Sequence, residues 1–386
     1  MRAVLTALAI WCAGWGAAAQ FAKMSVIFDE LGGLYPGHGA VGIGIMVSII
    51  GFVGLLLGTT MGMLVARIGP RRAMLAALAL GAAMSFVQSF LPPYPLMVVS
   101  RIPEGLAHLG IVVVGPTAIA ATASRRFQGL VMTLWGSFFG LTFSVLAYVG
   151  PGLAAAQGAG LLFRLHGVWL LICLAALAVL MPRDPDRAGA APLPGLWELH
   201  RDTYASPRIA APAMGFACYT VTYVAVLTLL PGAVTPGWGP FVAVTMPLVS
   251  IAVSLTLGVA LLSLMSAVRL VQSGFAVVVV AAIGLWASWG SGAPEAGFAV
   301  LLACCMGVVQ GASFAAIPQL NASLDHRARA AGAIAQLGNV GTTLGTPLLV
   351  LILARTGAGG LAVFLMAFAV LGIVLHQWQV LRRISG

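Results

Sequence analysis

Twelve apolar runs succeed one another along this chain. They cover roughly 3–27, 40–64, 73–91, 95–122, 128–150, 163–181, 207–230, 240–264, 271–289, 296–320, 330–354 and 360–380. At about 1.5 Å of rise per residue, each is long enough to cross a hydrocarbon core of about 30 Å as a helix. Lipid offers the backbone no hydrogen bonds, so runs of this length must satisfy their own N–H and C=O groups, and helices do so. The sequence therefore predicts an all-α membrane protein with twelve transmembrane helices. The chain is 61% hydrophobic and 7% charged, against about 25% charged in soluble domains, which excludes a soluble globular fold.

An internal repeat divides the runs into two sets of six. A shift of 202 residues places Arg67 on Arg269, Gly105 on Gly307, Pro116 on Pro318, Arg125 on Arg327 and Gly136 on Gly338. Two halves related in this way predict a pathway between them. The expected domains are residues 1–182, a linker at 183–206, and residues 207–386. Within the linker, Trp197-Glu198-Leu199 reads as a short surface helix. Met1-Arg2, an apolar run and Ala17-Ala18-Ala19-Gln20 resemble a cleavable leader. The repeat pairs span 1 with span 7, so span 1 is expected to be retained.

The net charge is +10, but its distribution points to topology rather than to nucleic acid. Fifteen arginines fall on one side if the N-terminus is inside: Arg2, Arg67, Arg71, Arg72, Arg125, Arg126, Arg183, Arg187, Arg201, Arg208, Arg269, Arg327, Arg329, Arg382 and Arg383. The other side keeps Arg164, Arg355 and, near the outer end of span 1, Lys23. Basic residues collect on the cytoplasmic side, so both termini are expected there, in a bacterial inner membrane. Cys12, Cys173, Cys218, Cys304 and Cys305 all lie inside spans and read as small apolar residues, with no disulfide or metal expected.

Span 4 carries charge where lipid would reject it. Arg101, Glu104 and His108 share one helical face, and Glu104 falls about 14 Å in from Pro95, near mid-membrane. Such groups must pair or face a wet cavity. Glu104 and His108 are the candidates for proton coupling, and a structural ion pair of Glu104 with Arg101 or Lys23 is the competing reading. Arg101 and Lys23, with Gln20 one turn before it, are the candidates for holding a solute; together they outnumber the acid and would attract an anion. In the second half the candidates are hydroxyls and amides: Tyr219, Thr222 and Tyr223 on span 7, Gln310 on span 10 and Asn339 on span 11. Interhelical hydrogen bonding is the alternative for each.

The loop after span 2 reads Gly62-Met63-Leu64-Val65-Ala66-Arg67-Ile68-Gly69-Pro70-Arg71-Arg72. It resembles the G-x-L-x-D-R-x-G-x-R-[RK] signature of the major facilitator superfamily. Arg101 to Gly110 resembles the fourth-span R-x-x-x-G pattern of the same family. Twelve spans, two halves and a central linker extend the resemblance over the whole chain. It implies a secondary transporter working by alternating access, with no cofactor and no enzymatic activity, whose partners are a solute, protons and the bilayer, and which acts as a monomer. Ala66 stands where the family has an aspartate that helps latch the halves, and Leu141 replaces the proline of the G-x-x-x-G-P antiporter pattern. Symport and antiport both stay open. Independently of the family, Gly62 and Gly69 are expected to let the chain reverse, while Arg67, Arg71 and Arg72 anchor that turn and meet helix C-terminal carbonyls.

Two further substrate classes remain at this point. Trp11, Trp15, Phe138, Phe139, Tyr219 and Tyr223 suit an exporter of amphipathic compounds. Met214, Cys218 and Cys304-Cys305-Met306 offer soft donors for Cu(I), without a tight His/Met cluster. A membrane scaffold or receptor that moves nothing is a fourth class. No G-x-x-x-x-G-K-[ST] loop occurs, which argues against ATP-driven transport by this chain.

Overall fold

The computed structural model describes residues 1–124, 128–184 and 195–385. The expectations for Arg125, Arg126, Arg187 and the linker prolines 185, 192 and 194 lie outside the described residues. The chain forms α1 (Arg2–Ser25), α2 (Phe28–Leu34), α3 (Gly39–Ser48), α4 (Gly51–Ile68), α5 (Pro70–Ser89), α6 (Tyr94–Ala121), α7 (Gln128–Gly136), α8 (Phe138–Gln157) and α9 (Gly160–Leu180). After the linker helix α10 (Leu196–Ala205) come α11 (Ala210–Ala233), α12 (Gly239–Val253), a π-turn (Ser254–Gly258), α13 (Val259–Leu262), α14 (Ala267–Ala287), α15 (Ala293–Leu320) and α16 (Leu324–Ser385).

Eleven segments of the described residues are long and apolar enough to cross a membrane. The last, His326–Ile384, has 59 residues, roughly 90 Å if straight. It bends at Gly357 (φ 55°, ψ −140°), a conformation open to glycine, and each leg is long enough for one crossing. The expected span 2 is also interrupted. α3 ends at Ser48 and α4 begins at Gly51, with Phe52 N–H donating to Ile49 O (3.0 Å) three residues back instead of the α-helical four.

Small residues set how closely the helices cross. A Cβ on Gly105 of α6 would strike the Ile50 carbonyl, and one on Gly307 of α15 would strike the Ser250 carbonyl of α12. These two glycines are partners under the 202-residue shift, so the repeat is visible as two equivalent close crossings. Both lie beside irregular backbone, the α3–α4 break and the π-turn after α12.

The two helix sets meet along a long seam. α3 and α4 run beside α16, where Gly44 faces Pro347, Gly51 faces Thr342 and Thr343, Gly54 faces Asn339 and Gly58 faces Gln336. α8 runs beside α12, and Ser144 Oγ donates to Val244 O (2.9 Å). α1 meets α11 through Thr228 Oγ1 and Ser25 Oγ (3.1 Å). The apolar core of the second half also takes in Phe21, Ala22, Ile50 and Phe143 of the first.

The loop expectation needs one correction. Gly62 does not turn the chain; it sits inside α4 with nothing near its missing side chain. Helical hydrogen bonding continues through Ile68, and a single left-handed residue, Gly69 (φ 103°), makes the reversal. Of the three loop arginines, Arg71 reaches a helix end: its Nη2 donates to Ala178 O (2.6 Å) in the last turn of α9, where Arg2 Nη2, from outside the loop, also donates to Val179 O (3.1 Å). Positive charge suits that helix end. Asp184 answers at the start of α5, accepting from the backbone N–H of Arg71 (3.1 Å) and Arg72 (2.9 Å). Arg67 is exposed.

Candidate functional site

Arg101, Glu104 and Lys23 come together, and all three are buried to within 1% of complete exclusion from solvent. Lys23 Nζ lies 2.6 Å from Glu104 Oε1, and Arg101 Nη1 lies 2.5 Å from Glu104 Oε2. Gln88 Nε2 also donates to Glu104 Oε2 (2.6 Å). The carboxylate thus accepts from α1, α5 and its own α6, which is what a charge in a dry interior requires.

Lys23 has three protons and four acceptor neighbours. They are Glu104 Oε1, Ser85 Oγ (2.7 Å), Gln88 Oε1 (2.8 Å) and His166 Nδ1 (3.2 Å). Ser85 resolves the surplus, because its Oγ is 2.5 Å from His166 Nδ1. Lys23 donates to Ser85, which donates on to His166. His166 Nε2 sits 2.9 Å from Gly16 O; a carbonyl only accepts, so the hydrogen is assigned to Nε2 and Nδ1 is the acceptor. One proton assignment therefore satisfies the whole cluster. Counted as ionised, Lys23 and Arg101 against Glu104 leave one excess positive charge inside the first helix set.

Arg101 extends the cluster to the seam. Its Nε donates to Met46 O (3.0 Å) and its Nη2 to Val47 O (3.1 Å). Both carbonyls lie in the last turn of α3, just before the α3–α4 break. Immediately beyond the break, Gly51 and Gly54 pack on α16.

His108 does not touch the carboxylate. Its Nδ1 donates to Ala17 O (3.0 Å), and its ring meets Phe21 edge-on at 5.2 Å. Gln20 is fully buried, with its amide against Gly81 of α5 and with neither polar atom partnered among the described residues. It sits inside the first helix set. Trp11 and Trp15 likewise pack inward, Trp15 stacking on Trp169 (6.1 Å).

The middle of the seam is aromatic. Phe21, Phe139 and Phe143 approach from one side. Phe216, Tyr219 and Tyr223 stand on α11, the two tyrosines stacked at 4.9 Å. The Tyr219 hydroxyl is buried and without a hydrogen-bond partner among the described residues. Thr222 Oγ1 donates back to Tyr219 O (2.9 Å), and Asn339 Nδ2 to Ala335 O (2.7 Å). Gln310 is half-buried on α15.

Sequence reading missed three parts of this arrangement. His166, Ser85 and Gln88 stand on different helices and share no spacing with Glu104; only their polarity inside apolar runs marks them. Glu295 is a second fully buried acid, in the first turn of α15 and just before the expected span 296–320. It accepts from Thr235 N (3.0 Å) and Thr235 Oγ1 (2.5 Å), pinning the loop after α11. Gln336 and the linker helix form a third polar junction at the end of the seam.

Residues 6–346 match the family model described as Major Facilitator Superfamily. No curated protein matches the chain.

Proposed function

The chain belongs to the Major Facilitator Superfamily, whose members are secondary transporters, and from that premise we propose that it moves a small solute by alternating access, coupled to protons at the Lys23–Glu104–Arg101 cluster. The halves that rock are residues 1–182 and 207–386. The arginine distribution supports an inner-membrane protein with both termini in the cytoplasm.

The observation that carries the coupling is Arg101, which holds Glu104 with one nitrogen and the α3–α4 break with two others. A proton that neutralises Glu104 weakens its hold on Arg101 and Lys23. Arg101 is then freer to leave the carbonyls of Met46 and Val47, and the seam segment of α4 is released from its fixed angle. Charge state and seam geometry are linked through one side chain. The test is Glu104→Gln in proteoliposomes, with gradient-driven uptake and counterflow measured side by side. Loss of accumulation with counterflow retained supports the reading. A folded variant that still accumulates solute against its gradient refutes it.

The aromatic seam favours an amphipathic solute, which Phe21, Phe139, Tyr219 and Tyr223 would receive by stacking. A small anion is the second reading, supported by the excess positive charge of the cluster. The three hydrogen bonds of Arg101 argue against that second reading, since a guanidinium so engaged must break contacts to grip an oxyanion. Competition of uptake by lipophilic cations against small carboxylates and phosphate separates the two.

A further inference from the structure

The bend of α16 leaves a groove between its two legs. The walls are Leu348 and Ile352 on the leg before Gly357 and Val363, Phe364 and Ala367 on the leg after it, and the volume is about 410 Å³. That falls within the roughly 300–1,000 Å³ of small-molecule sites. Gly359 completes the wall without a side chain to fill the space. Leu348, Val363 and Ala367 are exposed, so the groove opens away from the core. On a membrane-spanning segment that direction is lipid.

The groove has a polar end. At about 1.5 Å of rise per residue, Gly357 lies about 30 Å along α16 from Gln336, which meets the linker helix. The second leg returns to the linker, where Arg382 Nη2 donates to Ala205 O (2.8 Å). The bend therefore sits at the face opposite the linker. Arg355 stands beside it. Leu348, Ile352 and Arg355 are spaced i, i+4 and i+7 and form one helical stripe, so the arginine heads a wall of the groove. It is exposed and has no hydrogen bond or ion pair among the described residues. Trp286 of α14 reaches the same place: a Cβ on Gly359 would lie 3.8 Å from its Nε1, and the side chain is 56% exposed. That indole N–H has no hydrogen-bond partner among the described residues either. Thr356 Oγ1, by contrast, is spent on Ile352 O (2.7 Å).

This order of groups, apolar walls below and two free donors above, matches a lipid. Acyl carbons suit the walls. A phosphate oxygen suits the guanidinium and the indole N–H, at the depth where headgroups lie and tryptophans collect. Charge decides the class. Arg355 has no acid of its own, so a headgroup of net negative charge supplies the missing partner. A zwitterionic headgroup brings its own cation to the same spot, and a lipophilic cation is repelled. We propose that this groove seats one anionic phospholipid, with an acyl chain between the legs of α16 and the phosphate on Arg355 and Trp286. The seat involves neither the Glu104 cluster nor the seam, so it stands or falls apart from the transport reading.

Native mass spectrometry of the full chain, released from detergent micelles after incubation with one lipid at a time, tests it. The probes are phosphatidylglycerol, phosphatidylethanolamine with the same acyl chains, and glycerol 3-phosphate as a free phosphate. Wild type should retain one phosphatidylglycerol about fivefold more than phosphatidylethanolamine, the scale of one arginine at an anionic membrane surface. Arg355→Gln should bring phosphatidylglycerol down to the phosphatidylethanolamine level and leave the latter unchanged. Ala367→Phe fills the groove and should lower retention of both lipids alike. Both substitutions fall on exposed positions, where the fold tolerates them. Glycerol 3-phosphate should neither bind nor displace the lipid. Equal retention of the two lipids by wild type overturns the proposal. So does an Arg355→Gln protein that keeps the wild-type preference, or an Ala367→Phe protein that keeps wild-type retention. Displacement by glycerol 3-phosphate would assign Arg355 to a free phosphate, and a dimer lost in Ala367→Phe would assign the groove to a second copy of the chain; either result overturns it as well.

Discussion

Neutralising Glu104 should be more damaging than neutralising Lys23, although the two side chains form one ion pair. The buried cluster holds two cations and one anion. Glu104→Gln leaves Lys23 and Arg101, both fully buried, facing each other without a counter-charge. Breaking a buried pair from one side costs about 3–5 kcal/mol. The glutamine also brings an NH2 group to a position that now accepts from Lys23, Gln88 and Arg101. Lys23→Met instead removes the excess charge and leaves the Arg101–Glu104 pair balanced. Its penalties fall on Gln88 Oε1 and Glu104 Oε1, each of which loses Lys23 as its donor, about 1–3 kcal/mol apiece; Ser85 keeps His166 as its acceptor. In the double variant a single cation remains, so its loss should fall short of the sum of the singles by about 2 kcal/mol or more. The assay is reversible unfolding in mixed detergent micelles, followed by tryptophan fluorescence, for wild type, the two singles and the double. Glu104→Gln no less stable than Lys23→Met would refute the charge count, and strict additivity would show that the two side chains are not coupled.

Other substitutions probe the packing and the seam. Gly105→Ala should destabilise by about 1–3 kcal/mol, because the new methyl meets the Ile50 carbonyl, which is backbone and cannot swing aside. Gly62→Ala should be neutral or stabilising by up to about 1 kcal/mol, since nothing surrounds that position in α4; thermal unfolding of the two side by side checks both. Asp184→Asn should cost about 1 kcal/mol by weakening the bonds to the first N–H groups of α5, and loss of protection at Arg71–Met74 in hydrogen exchange would report it. Tyr219→Phe removes a buried hydroxyl that has no partner among the described residues, so stability should hold or rise. A raised KM for uptake in the same protein would assign that hydroxyl to the solute, and an unchanged KM would remove Tyr219 from the binding residues.

The all-helical fold of apolar spans and the family were legible in the sequence because each rests on a local or strictly periodic signal. Apolar runs fit a membrane of fixed thickness, and a constant offset of 202 residues survives in Gly105 and Gly307, whose close crossings allow no side chain. The charged face of span 4 was legible for the same reason: an ionised group in such a run must be explained wherever it occurs. Which partners satisfy it was not. Ser85, Gln88 and His166 reach Lys23 from α5 and α9 at sequence separations of 62, 65 and 143, and no helical period links them. The role of Arg101 was equally hidden, because its partners are the carbonyls of Met46 and Val47, and every residue has a carbonyl. Those two lie in the last turn of α3, which stops at Ser48. The turn at Gly62 was a misreading, because glycine permits a turn but does not require one and α4 continues through it. The sequence alone determined that this chain is built of apolar helices long enough to cross a membrane and that charge lies within one of them. Only the packed helices decided that the charge lies within one half, is saturated by neighbours, and touches the seam through a single guanidinium, because burial and hydrogen-bond partnership are properties of neighbours in space.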